Sequence, residues 1–466
     1  MNNLKLAVRN LTRNRRRSLT TILAMVIGMV ALLLFGGFIS SIYFGLQTGI
    51  VRSQGHLHIY QQGYLEYGSS RPTDYYIDQY KTVIDSINQD AVLKDNIEVM
   101  TPVVSLAGIA GNYSADSSKT FFGAGVIPSD KNKMKQWDQY HLEIKSPPMV
   151  LTDNSIGEGV IGLGMAKMLN LCESLHVPNC TDRPIKAVEG EANAQILALQ
   201  TLAEEESAQS KGDHAEKKGV QIDLLASTGS GAPNVVSVSI IKAEKMGNKI
   251  LDDNLVILHL KQAQRLVFNN DSRVSSITIQ LKDSDKMEAM QQRLSTLLNN
   301  SDLKQQFEVK NFTEFNTEFS QIVNMFLVIF IFIALMISLV VLFTTINTLT
   351  MSVMERIPEI GSLRAMGLRR SAIRWQFLLE GFVIGITGAT LGIISAIILT
   401  TVFNRSGFGW SPPGSVESQD LVILLFANPL LLIGTWLLMI IVATVSSILP
   451  ARHAAKMNIV NAIRNN

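Results

Sequence analysis

The sequence predicts an α-helical membrane protein with four transmembrane helices and one large α+β domain held outside the membrane. Three observations carry this. First, hydrophobic residues make up 47% of the 466 residues and charged residues only 17%, but they are unevenly mixed. Four stretches, 19–44, 322–343, 377–403 and 421–449, contain no Lys, Arg or Asp, and Glu380 is their only acid. Each has at least ~20 residues, enough to cross a hydrocarbon core of roughly 30 Å as a helix and longer than a buried helix of a soluble protein usually is. Second, the short flanking segments are basic. Residues 1–18 carry Lys5, Arg9, Arg13, Arg15, Arg16 and Arg17 and no acid; 351–374 carries five Arg against Glu355 and Glu359; the tail carries Arg452, Lys456 and Arg464 and no acid. By the positive-inside rule both termini and the 351–374 loop face the cytoplasm. Third, residues 50–320 must then lie outside, and they alternate strand-like and helix-like patterns with 26 basic and 34 acidic residues. The net charge of +2 therefore hides a basic cytoplasmic skin and an acidic external domain. Nothing in this distribution points to nucleic acid.

The elements follow in order. Leu4, Ala7, Val8 and Leu11 recur at helical spacing opposite Arg and Asn, which predicts a basic amphipathic helix on the cytoplasmic surface. The first apolar run exceeds a signal-peptide core and no small-x-small site precedes Ile50, so a retained helix is expected. Beyond it, "GHLHIY" suggests a short strand, 74–88 a helix and "IEVMTPVVSLAGIAG" a strand. Near the far end "SSITIQL", "SDKMEAMQQRLSTLLNN" and "FEVKNF" repeat that order. Two β-α-β units thus bracket the external region and are expected to pair into one α+β subdomain, with about 110–267 as a second, strand-rich lobe. In that lobe "GVIGLGMAKMLNL" reads as a strand turning into a helix; it lacks G-x-G-x-x-G, so it is a weak phosphate-binding signal. Cys172 and Cys180 are expected to form a disulfide in an oxidising compartment, and with His176 as the only extra ligand nearby they make a poor zinc site. Residues 172–218 look like a polar surface insertion. His56 and His58 alternate onto one strand face, where surface histidines are the plain reading and a metal site the sharper one. No grouping with catalytic context is present. Phe312, Phe315, Phe319 and Ile322 repeat at helical spacing, so a stiff helix is expected to run unbroken into the second span.

The expected organisation is a cytoplasmic amphipathic helix at 1–18, a span and stalk at 19–49, the external α+β domain at 50–311, a stalk and second span at 312–350, a cytoplasmic loop at 351–374, a third span at 375–403, a short external loop at 404–420, a fourth span at 421–449 and a cytoplasmic tail at 450–466. Within 351–374 the spacing of Ile357, Ile360 and Leu363 predicts a short helix, charged and apolar by turns, with Gly367 ending it and Ser371 able to cap the next. Such a helix suits a partner's groove. No G-x-x-x-x-G-K-[ST] occurs, so ATP hydrolysis, if it drives this protein, is expected on another subunit.

Three segments together resemble the FtsX/MacB/lipoprotein-releasing permeases of ABC transporters: "LKLAVRNLTRNRRRSLTTILAMVIGM", "ERIPEIGSLRAMGLRRSAIRWQFLLEG" and "LPARHAAKMNIVNAIR". "GVIGLGMAKMLNL" and "LDDNLVILHLKQAQRL" resemble the MacB-like periplasmic core domain, and "GHLHI" and "SPPGS" lean toward the lipoprotein-releasing branch. The resemblance implies a multi-pass protein of a bacterial inner membrane, with its large domain in the periplasm. It implies a dimer with a second copy or a paralogue, and a cytoplasmic ATPase subunit holding ATP and Mg, with no cofactor in this chain. It implies that 354–366 is a coupling helix, with Glu355, Arg356, Ile357, Glu359, Ile360, Gly361, Leu363, Arg364 and Gly367 as coupling residues. It further implies mechanotransmission, in which ATP-driven closure moves stalk helices and reshapes the periplasmic domains. The expected function is extraction of lipoproteins or lipid-anchored cargo from the outer leaflet, with a periplasmic chaperone, lipoprotein or adaptor as a further partner and membrane lipid as surroundings. The alternatives are tripartite efflux of small molecules or peptides, and regulation of a periplasmic hydrolase. No substrate-binding residue is assigned.

Overall fold

The computed structural model describes residues 9, 15–68, 74–142, 146–183, 219–228, 231–269, 271–300, 305–410 and 419–457. Most of the expected amphipathic helix at 1–18, the 184–218 part of the insertion, "SPPGS" and the tail beyond 457 lie outside the described residues. The chain divides into two compact units: Gln47–Asn316 with Ser411–Ser418, and Met1–Leu46 with Thr317–Trp410 and Gln419–Asn466.

The last residues of the first helix, α1 (Arg15–Gln54), belong to the α+β unit. Its orphan carbonyls find partners there. Gly55 at φ 85° donates its N–H to Val51 O, and a Cβ at this position would meet Ile279 O at 2.8 Å. The Gln280 amide donates to Val51 O at 3.1 Å and the Lys131 ammonium to Ser53 O at 2.6 Å. A helix end left without such partners would cost the desolvation of each carbonyl.

One nine-stranded sheet follows, made of β1 (Leu57–Gln61), β2 (Ile97–Asn112), β3 (Ser117–Val126), β4 (Glu158–Gly162), β5 (Val220–Ser227), β6 (Pro233–Glu244), β7 (Leu255–His259), β8 (Ser276–Leu281) and β9 (Phe307–Asn311). Its order is β3-β7-β4-β6-β5-β2-β8-β1-β9, and a further β2–β3 pairing closes the first six into a barrel. The 16-residue β2 serves both halves: Ile97 to Val103 pair with β8, Val104 to Asn112 with β3. In β2-β8-β1-β9 the helix α2 (Tyr80–Gln89) lies between β1 and β2 in the chain. Another helix is α3 (Leu163–Met168), after β4. A third, α4 (Leu260–Phe268), follows β7, and α5 (Met287–Asn299) lies between β8 and β9. The strand order of the four-stranded half is that of a split β-α-β fold, with α2 (Val83, Ile87) and α5 (Met290, Leu294, Leu298) burying the same core as Leu57, Ile59, Ile277 and Ile279. Within the barrel half, α4 packs on five strands, and Gly125 allows it, since a Cβ there would meet the Ala263 Cβ at 2.1 Å.

Several expectations change here. The helix expected from residue 74 starts at Tyr80, because Ile77 instead pairs with Val274 as an isolated bridge. The glycines of "GVIGLG" serve packing: a Cβ on Gly162 would meet Asp252 O at 2.2 Å. His56 and His58 are not surface residues but buried ones. The His56 Nε2 lies 2.8 Å from Ser284 Oγ and its Nδ1 accepts from the Leu281 N–H, while His58 packs on Tyr60 and Phe315. Among the described residues no group of three His, Cys, Asp or Glu side chains is placed to hold a metal. Cys172 and Cys180 are bonded, with Cα atoms 5.4 Å apart, and the Asp182 carboxylate accepts from the Cys172 and Glu173 N–H groups beside them.

The expected unbroken helix from Phe312 is also corrected. Asn311 and Glu314 form a capping box that starts α6 (Phe312–Phe315), and Asn316 leaves helical geometry at ψ 71° before α7 (Thr317–Glu355) begins. The long helix that continues across residues 46 and 47 is α1, with 40 residues.

In the helical unit α7 is followed by α8 (Ile357–Ala365), α9 (Arg370–Arg405), α10 (Pro429–Ser446) and α11 (Ile448–Lys456). Among the described residues four helical stretches are long and apolar enough to cross a membrane: Arg15–Gln54, Thr317–Glu355, Arg370–Arg405 and Pro429–Lys456. The last starts later than the apolar run from residue 421. Asn428 caps it ahead of Pro429, and the preceding residues are irregular, with Leu424 donating to Gly37 O and Ile423 to the Asn404 side chain. Helix α9 packs through small residues on two sides. A Cβ on Gly385 would come 3.1 Å from Ile440 Cα, and one on Gly392 would come 2.5 Å from the Met29 Cβ. Such close approach is how apolar helices associate where burial from water supplies little drive.

Candidate functional site

The site is the turn from α7 through α8 into α9. Pro358 explains why α7 stops. It has no N–H to offer the Met354 carbonyl, and its ring excludes that carbonyl from continuing a straight helix. Pro358 instead occupies the first turn of α8, where a missing N–H costs nothing. Arg356 is the residue at the bend, with φ −104° and ψ 12°. At the other end Gly367, at φ 94°, closes a Schellman motif: its N–H reaches Arg364 O, and the Leu368 N–H reaches Leu363 O at 3.1 Å. Ser371 does not cap α9; it lies within the first turn, and Arg369 occupies the cap position without a side-chain bond.

The residues expected to couple fall into two groups. One group faces inward. Ile360 packs with Val353, Ile373, Phe377, Ala451 and Ala454, and Gly361 is buried beside them. Arg356 is 4% exposed and Glu380 1% exposed, and Nη1 of the former lies 2.8 Å from Oε1 of the latter. Arg364 donates to the Met457 carbonyl at the end of α11, where the helix presents its negative pole. Glu355, itself exposed, pairs with Arg17 of α1; one turn on along α1 and two turns back along α7 the Thr21 hydroxyl donates to Thr348 at 2.8 Å. Three polar ties thus fix the α7–α8 turn to α1, α9 and α11. The other group faces outward. Glu359 and Leu363 are exposed, the latter at 37%, and Ile357 is half-buried. Met366 (76%), at the end of α8, and Trp375 (62%), in the second turn of α9, are exposed as well, as are Leu368, Arg369, Arg370 and Arg374 between them in the chain.

Sequence reasoning missed the partners: Arg17, Glu380 and Met457 are each far from this segment in the chain. Glu380 carried a signal, as the single acid in four apolar runs. The exposed Met366 and Trp375 could have been found from the helical period but were not singled out.

Residues 319–459, which include the whole of this site, match the family described as FtsX-like permease C-terminal. The chain is 26% identical over 229 residues to an uncharacterized ABC transporter permease of Methanocaldococcus jannaschii, covering 49% of this chain and 54% of that one. It is 27% identical over 216 residues to the macrolide export ATP-binding/permease protein MacB of Chlorobium luteolum, covering 46% and 30%. With the ABC transporter permease YtrF of Bacillus subtilis the identity is 30% over 158 residues, covering 33% and 36%. The chain spans about half or less of the length of these relatives. On these matches residues 319–459 form an FtsX-like permease C-terminal domain, and the chain is similar to ABC transporter permeases, MacB among them.

Proposed function

We propose that this chain is the permease subunit of an ATP-driven, mechanotransmission-type ABC transporter of a bacterial inner membrane. Its termini and the α8 turn face the cytoplasm, and the α+β domain stands in the periplasm. The partner ATPase binds ATP and Mg and docks on α8; a second copy or a paralogue completes a dimer. One observation carries the reading. The α7–α8 turn is tied to three other helices, while Leu363 and Met366 of α8 and its C-terminal turn, and Trp375 at the start of α9, stand exposed. A rigidly backed, apolar outer face is suited to receive a push and pass it on. The coupling residues then divide by role: Glu359, Leu363 and the neighbouring Ile357 meet the ATPase, while the buried Arg356, Ile360 and Gly361, the tied Glu355 and Arg364 and the turn residue Gly367 hold the helix in place.

The cargo we propose is a lipoprotein or another lipid-anchored molecule, drawn from the outer leaflet by the periplasmic domain. A second reading, export of a small molecule or peptide taken from the periplasm, is favoured by the similarity to macrolide export proteins. Gentle affinity purification from native membranes followed by mass spectrometry separates them. A P-loop ATPase with lipoproteins or a lipoprotein chaperone supports extraction; the same ATPase with a periplasmic adaptor and an outer-membrane channel supports efflux. Leu363→Glu with Met366→Glu should abolish ATPase co-purification and leave the chain folded. Undiminished co-purification would refute docking on α8.

A further inference from the structure

The feature that docking does not use is the Arg356–Glu380 pair. Both residues are almost wholly buried, on the helices and turn that also carry the packed Val353, Ile360, Ile373 and Phe377. Glu380 lies in an apolar helix long enough to span a membrane, where an ionisable side chain is expensive and is kept for a purpose. Burying two charges costs several kcal/mol per ion, and an apolar pair of similar volume commonly holds a fold as well or better. Stability is therefore a poor reason for this pair. Its place suggests another. Arg356 is the bend residue between α7 and α8, and a helix interrupted at proline is otherwise free to pivot there. An ion pair at 2.8 Å is directional, unlike an apolar contact, and it binds the pivot to α9.

We infer that Arg356 and Glu380 form a buried lock that sets the angle between α7 and α8 and joins both to α9, so that displacement of α8 moves the two long helices together. Both are positioning residues; neither touches the ATPase or its nucleotide. The inference rests on the reading that α8 receives an ATPase, and the test keeps the two apart.

The test uses the full chain purified together with its co-purifying ATPase and reconstituted in nanodiscs. Removing one charge strands the other, so Glu380→Gln alone can fail by misfolding. The decisive variant is Arg356→Met combined with Glu380→Met, which fills the same space without the bond. Three quantities are read: the amount of ATPase bound, kcat and KM for ATP, and the change in hydrogen exchange of α7 and the α+β domain between the nucleotide-free and the vanadate-trapped complex. The expected result is wild-type ATPase binding and KM, a kcat reduced to that of the ATPase without this chain, and loss of the exchange change. Glu380→Asp, which keeps the charge, should restore part of both. A double-methionine complex with wild-type kcat and a wild-type exchange change would overturn the lock while leaving docking intact. If the wild-type chain brings no ATPase with it, the docking reading fails and the lock with it.

Discussion

Acid should weaken the α+β domain through His56 and His58. Both imidazoles are buried and pushed down to about 3 from an ordinary 6.5. Desolvation is the main cause for each. For His56 the Asp283 carboxylate opposes it in part; for His58 the Lys131 ammonium adds to it and a bond to the Gln54 carbonyl opposes it. Because the folded value lies below the unfolded one, the unfolded chain binds protons first as the pH falls. Stability is whole above 6.5, declines as pH drops from there toward 3, and levels off below that. At about pH 5 the unfolded state gains about 2 kcal/mol per histidine, or about 4 kcal/mol for the two, a large share of a domain's usual 5–15 kcal/mol. Asp130, raised by burial, takes up its proton more readily in the folded state and offsets part of this. The assay is the urea midpoint of the domain, read by pulse proteolysis of the full chain in detergent at about pH 7.5 and about pH 5. His58→Phe should keep the ring stacked on Tyr60 and edge-on to Phe315 and remove about half of the pH dependence. Equal midpoints at the two pH values, or an unaltered slope in His58→Phe, would refute the reasoning.

Other expectations concern packing and cross-links. Gly392→Val should lower the thermal midpoint of the helical unit in detergent, since its Cβ would come 2.5 Å from that of Met29; overpacking of this kind costs about 1–3 kcal/mol. Cys172→Ser with Cys180→Ser should destabilise the α+β domain by about 2–3 kcal/mol, the loop-closure entropy of so short a loop, with the urea midpoint as the measure. Asn311→Ala removes the cap of α6 and should cost about 1 kcal/mol, seen as faster hydrogen exchange in 312–316; unchanged exchange would show that the break before α7 does not depend on the capping box.

Some features were legible because they are local. A long apolar run without charge declares a helix whatever its distant neighbours, and Gly367 ends α8 by backbone chemistry alone. The strand-to-helix turn at Gly162 was readable for the same reason, from a change in hydrophobic period. The break at Asn316 misled the reading because the Phe312–Ile322 pattern is helical throughout; the capping box at Asn311 and the Asn316 contact with Gln54 interrupt it. His56 and His58 misled it because polarity suggests a surface, and only the pairing of β1 between β8 and β9 buries them.

By itself, then, the sequence determined the number of the apolar helices, the basic flanks, the short helix between α7 and α9 and the likeness to a permease family. Each of these depends on residues close together in the chain. Only the tertiary structure decided that β2 closes a barrel while also pairing with β8, that α1 rather than α7 is the unbroken helix, and that Arg356 turns inward to Glu380 while Met366 and Trp375 turn outward. Those outcomes depend on which distant segments meet. The energy of burying a charge or closing a sheet is set by the partner across the contact, not by the neighbours along the chain.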